Sequence, residues 1–190
     1  MWKILAEFLN LNKWKIRVLR LNHRPVRDKR VTTHLFLAAR AFGAEGAFYS
    51  GERDEKVEKS IEKVNRSWGG TFKIFFCQKW GKTVQEWKRD DGEVVHLTMY
   101  GLPVQDVIDQ IKASPKKKLV IVGGAKVPGA AYELSDWNVS VTSQPHSEVS
   151  ALSIFLHELF EGNELIKSFE NAEKRIVPQA KGKKIEKMTP

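Results

Sequence analysis

Six short runs rich in β-branched and aromatic residues alternate with helical stretches between residues 15 and 162, and this alternation restricts the fold more than any other feature. The runs are KIRVLRL, GAFYS, TFKIFFC, EVVHLTMYG, KKKLVIVGG and WNVSVTS. Between and after them come VTTHLFLAARAFG, ERDEKVEKSIEKVNRSWGG, WGKTVQEWKRD, LPVQDVIDQIKAS and HSEVSALSIFLHELFEG. Their apolar residues recur at helical spacing, with glycines at or near several ends. Parallel strands need connections of a dozen or more residues, and helices supply them. The pattern therefore predicts an α/β fold: a largely parallel sheet with helices on both faces. A chain of 190 residues suits one such domain with short extensions. Residues 1–14 form an N-terminal extension whose Trp2, Leu5 and Leu9 suggest a short docking helix. Residues 166–190 form a basic C-terminal extension, strand-like around Ile176 and Val177.

Ligands of open α/β sheets bind beyond the carboxyl ends of the strands. The loops to examine follow Leu21, Leu97, Val122 and Val141. The first, NHRPVRDKRVTTH, places His23, Arg24, Arg27, Lys29, Arg30 and His34 at the start of a helix. Free amides there bind anions, and arginine grips phosphate oxygens bidentately, so this loop is a candidate phosphate or RNA contact. A solvated basic turn, with Asp28 as local partner, is the plainer alternative. TMYGLP reads only as a turn before a helix. GGAKVPGAA has glycines that allow close backbone approach, but it lacks P-loop or dinucleotide-fingerprint spacing. In the fourth loop Ser147 suits an N-cap and Glu148 a first helical turn. Capping does not explain Thr142, Ser143 and Gln144 as well.

The formal charge of +9 and pI near 9.6 favour phosphate backbones or anionic surfaces as partners. No run has the length to cross a bilayer, so no membrane partner is expected. The single Cys77 excludes an intramolecular disulfide and reads as a buried strand thiol in a reducing compartment. The first ten residues lack the form of a signal peptide, and we expect a cytoplasmic protein. His146 has no partners at metal-ligand spacing, so no metal site is expected, and no serine or cysteine has the context of a nucleophile.

LRLNHRPVRDKRVTTHLFLAARAFGA, VHLTMYGLPVQDVI, IVGGAKVP and NVSVTSQPHSEVSAL occur in this order, and together the chain resembles the archaeal tRNA cytidine-56 ribose 2′-O-methyltransferases of the SPOUT class. The resemblance runs from about residue 17 to 184. It implies a SPOUT-type sheet over residues 15–165, with a C-terminal deep trefoil knot within about 118–162, and a homodimer with its active site near the subunit interface. It implies S-adenosyl-L-methionine as cofactor, held by Leu97, by Gly123, Gly124, Ala125, Lys126 and Val127, and by Val141, Thr142, Ser143, Gln144, Pro145, His146, Ser147 and Glu148. The family commonly carries Gly-Ala-Glu-Lys-Val where this chain has residues 123–127. It commonly carries Gly-Asn-Gln where this chain has Thr142-Ser143-Gln144. A threonine held at positive φ would cost roughly 1 kcal/mol or more.

The implied reaction moves a methyl group from that cofactor to the ribose 2′-oxygen of cytidine 56 in the tRNA T-loop. Ribose methyltransferases of this class generally use an arginine of the first conserved motif. Arg30 is the first candidate and Arg27 the second, with His34 one turn from Arg30 (i, i+4) as an assistant. Arg24, Arg27, Lys29 and the KGKKIEK tail would hold the tRNA. Two alternatives stay open within the class: another target nucleotide, or RNA binding without catalysis. A nucleotide-binding protein using GGAKVPG would leave HRPVRDKR and QPHSE unexplained.

Overall fold

The computed structural model describes residues 14–28, 30–124 and 126–188. The expected helix at residues 2–10, Lys29 and Ala125 lie outside the described residues. A six-stranded sheet contains β1 (Ile16–His23), β2 (Gly46–Gly51), β3 (Lys73–Phe76), β4 (Gly92–Pro103), β5 (Lys117–Val122) and β6 (Trp137–Ser140). Its order is β3-β2-β1-β5-β4-β6 and every pairing is parallel. The helices are α1 (Val31–Ala41), α2 (Glu55–Trp68), α3 (Trp80–Arg89), α4 (Val104–Ala113), α5 (Gly129–Leu134) and α6 (Glu148–Phe160).

Side chains alternate across each strand, and this sorts the core into two layers. Ile16, Val18, Val95, Leu97, Val120 and Val122 face one layer, closed by α1, α2, α4 and α6. Leu19, Leu21, Val94, Leu119 and Ile121 face the other, where α3 contributes Val84 and Trp87 and α5 contributes Ala131. Trp14, just before β1, is buried against Phe160, and its indole N–H donates to the Ser114 carbonyl at 2.7 Å. Cys77 follows β3, where burial pushes its thiol up and keeps it protonated.

Three features depart from the expected elements. Helix α5 has six residues after Pro128, too few for a period of 3.6 to declare itself. Strand β6 ends at Ser140, so residues 141–143 leave the sheet earlier than their alternation suggests. The C-terminal extension is an antiparallel hairpin of β7 (Lys174–Val177) and β8 (Lys184–Lys187), whose second strand was not anticipated. The Arg40 guanidinium lies over the Phe169 ring at 4.1 Å, and Gly70 N–H donates to the Glu170 carbonyl at 2.8 Å; these contacts join the segment that leads into the hairpin to α1 and to the turn after α2.

Candidate functional site

Parallel strands send all their carboxyl ends to one edge, so the loops after β1, β4, β5 and β6 converge. There a cleft of about 440 Å³ opens, a size typical of small-molecule sites. Leu97, Gly123, Gly124, Val127, Val141, Gln144, Pro145, His146, Ser147 and Glu148 line it. Lys126, Thr142 and Ser143 lie outside its lining. Thr98, Met99, Tyr100, Val122, Tyr132 and Ala151 also line it, and none of them was a sequence candidate. Their one sequence signal was position, because they lie in or beside the elements that the loops after Leu97, Val122 and Val141 join. A larger hollow of about 640 Å³ lies at the opposite edge, among Gly46, Lys73, Lys167 and Phe169, and belongs to the joint with the hairpin.

The cleft floor depends on backbone approach. A Cβ at Gly123 would overlap the Val127 side chain, and one at Gly124 would lie 3.4 Å from Arg20 Nη2. At Gly101 a Cβ would meet the Asn138–Val139 backbone; this close approach pins the irregular 98–102 stretch of β4, where its register with β6 shifts, and leaves Tyr100 78% exposed at the mouth. On the far wall, His146 Nε2 approaches the Val141 carbonyl at 2.5 Å and closes the loop on itself. Ser147 caps α6, its hydroxyl accepting from Val149 N–H at 3.2 Å. Glu148 begins α6 and does more than meet the helix dipole: its Oε1 lies 3.4 Å from Arg20 Nη2. Arg20 is 2% exposed, and its Nε and Nη1 have no partner among the described residues. Asn22 Nδ2 donates to the Lys126 carbonyl at 3.4 Å, a second tie from β1 to the cleft loops.

Thr142 has φ 63°, the left-handed region a β-branched residue avoids. Its hydroxyl partly offsets the strain by accepting from Gln144 N–H at 3.0 Å. Asparagine tolerates that backbone and keeps an oxygen for the same bond. Thr142→Asn is therefore expected to stabilise the chain by about 0.5–1 kcal/mol. A midpoint of thermal or denaturant unfolding at or below that of the parent chain would refute this.

The basic loop after β1 stands on the same edge. Arg24, Arg27, Arg30 and His34 are exposed and none lines the cleft. Asp28 organises the loop by accepting from Arg24 N–H at 3.1 Å. Beneath it, His23 is buried against Thr32, Asp54 and the Tyr49 ring. Burial, reinforced by Glu58, pushes the Tyr49 hydroxyl up to about 12, so it stays protonated and donates to Glu58 at 2.7 Å. Among the described residues no cluster of His, Cys, Asp and Glu is arranged to hold a metal ion, and no helix is long and apolar enough to cross a membrane.

This geometry has relatives among solved structures. The fold matches an Aquifex aeolicus protein described as a TrmH/SpoU tRNA modifying enzyme, with TM-score 0.61, 16% identity, and 86% of this chain and 84% of that one covered. It also matches the SpoU methyltransferase AviRb of Streptomyces viridochromogenes, crystallised with AdoMet, with TM-score 0.57, 18% identity, and 78% and 57% covered. At these identities the likeness is one of fold. Sequence relatives go further. A tRNA (cytidine(56)-2′-O)-methyltransferase of Methanothermobacter thermautotrophicus is 52% identical over 168 residues, covering 88% of this chain and 94% of its own. One from Pyrococcus horikoshii is 54% identical over 173 residues, covering 90% and 84%. The family model for tRNA ribose 2′-O-methyltransferase, aTrm56, matches residues 68–186. With the glycine-floored cleft, the basic loop on the same edge and this extent of identity, the chain belongs to the archaeal tRNA ribose 2′-O-methyltransferase family.

Proposed function

We propose that this chain transfers a methyl group from S-adenosyl-L-methionine to the ribose 2′-oxygen of cytidine 56 in tRNA. The observation that carries this is the joining of one cleft from the far end of β4 and the loops after β5 and β6, lined by most of the residues the family resemblance assigns to the cofactor. The residues present fit such a group. Gly123 and Gly124 leave the backbone bare where a Cβ would fill the floor, and Leu97, Val127, Val141 and Ala151 supply apolar walls. Bound there, the cofactor would supply an electrophilic methyl group. Glu148 would set a negative charge beside a cationic ligand, with Arg20 behind it.

A ribose hydroxyl is a weak nucleophile and must be oriented and relieved of its proton. An arginine stays protonated at ordinary pH, so Arg30 acts by polarising the hydroxyl and neutralising the adjacent phosphate, and the 2′-proton leaves to solvent. Arg27 and His34 stand beside it as helpers. Arg30 lines no part of its own chain's cleft, which supports a homodimer in which the loop of one copy serves the cleft of the other. The exposed Met99, Leu102 and Ile154 offer apolar surface for that contact. We propose further that residues 118–162 are tied in a deep trefoil knot. The position of β5 between β1 and β4, and the return of α6 from the sheet edge to pack on α1 and α4, support it.

The test is methyl transfer from labelled cofactor to two tRNA transcripts, one carrying 2′-deoxycytidine at position 56. Label in the unmodified transcript and none in the other is expected; equal label in both would move the target elsewhere. Transfer RNA binding is expected to weaken steeply with salt, since each phosphate contact releases counterions. Arg24→Ala should reduce the slope of log affinity against log salt by about 1. A slope unchanged in that variant would remove Arg24 from the RNA surface.

A further inference from the structure

Among the buried polar groups that the proposed reaction does not use, one stands beside the catalytic loop. His23, at the end of β1, is 0% exposed. Strand β1 breaks register between Arg20 and His23, and Asn22 takes φ 55°. The irregularity turns His23 toward α1 and α2. Its Nδ1 lies 2.8 Å from Thr32 Oγ1 and its Nε2 lies 3.3 Å from Asp54 Oδ2. An ionised carboxylate only accepts, so an N–H at Nε2 faces Asp54 while Nδ1 faces the threonine hydroxyl. Thr32 is also 0% exposed, which excludes it as a nucleophile.

We propose that His23 is a positioning residue for the catalytic loop, acting through Thr32 and Asp54 and never touching substrate. This rests on the assignment of the 24–30 loop to the reaction. His23 and Thr32 flank that loop, and their bond closes its base. Asp54 anchors the other side of the ring: it caps α2 by accepting from Lys56 N–H at 2.9 Å, while its own N–H donates to Tyr49 OH at 3.1 Å. At the tip Val26 is 97% exposed, so among the described residues no apolar packing holds its side chain. Within the loop, the Arg24–Asp28 contacts set its shape but not its position on the sheet. The direction in which Arg30 leaves the N-cap of α1 therefore depends on the buried clamp.

Thr32→Val removes the hydroxyl while keeping the side-chain shape, and Thr32→Ser keeps the hydroxyl. Both would be assayed for kcat, KM for tRNA, cofactor affinity by calorimetry, and amide exchange over residues 24–31, well below each melting point. Thr32→Val should lower kcat by about 10- to 100-fold, the scale of a misplaced catalytic group, with cofactor affinity within about twofold. Amides 24–31 should exchange faster, and Thr32→Ser should restore both readouts. His23→Asn should behave as Thr32→Val if it folds. A Thr32→Val chain with lowered melting point but unchanged kcat and loop exchange would overturn the proposal. A parent chain that methylates nothing would overturn the reaction itself, whereas the exchange comparison would still report on the clamp.

Discussion

Arg30→Ala is expected to lower kcat for tRNA methylation by at least about 100-fold, near 2.7 kcal/mol of lost transition-state stabilisation. Cofactor affinity should stay within about twofold, because Arg30 is exposed on the loop after β1, lines no part of its own chain's cleft, and acts on the RNA hydroxyl and phosphate. Single-turnover kinetics and calorimetry on the same preparation separate the two quantities. Lysine in its place should recover only part of the rate, since a point charge lacks the bidentate fork for a phosphate. Equal losses of rate and cofactor affinity would remove Arg30 from the catalytic role. If Arg27→Ala shows the larger fall, the assignment moves to that residue.

Glu148→Gln is expected to destabilise the chain by about 2–3 kcal/mol, because it leaves the buried Arg20 charge without its counter-ion. Breaking a fully buried pair costs about 3–5 kcal/mol, and Glu148, about one-third exposed, retains some water, which reduces the figure. Loss of a helix-dipole contact alone would cost about 0.3–1 kcal/mol, so the size of the effect tells the two roles apart. For a chain of this length the midpoint should fall by roughly 4–12 °C. Adding Arg20→Met removes the orphaned charge and should recover more than half of the loss. A double variant no more stable than Glu148→Gln would mean that the pair is not coupled.

Periods of 2 and 3.6 are written locally, so the alternation of strands and helices, and with it the parallel sheet, was legible in the residues alone. Ile16 and Val18 against Leu19 and Leu21 already name the two faces of β1. Motif order was equally legible: HRPVRDKR and QPHSE pointed to the loops that the fold gathers at one edge. The family resemblance implied strain at Thr142 if that position took positive φ, and the left-handed φ bears that expectation out. Tertiary structure alone decided the strand order, with β5 inserted between β1 and β4. It alone paired Arg20 with Glu148, 128 positions apart in this numbering, and buried His23 against Asp54. His23 and Arg20 sit in stretches that read locally as a basic loop and an apolar strand. Their partners come from elements whose contacts depend on register, crossover and helix packing, and no local period encodes those.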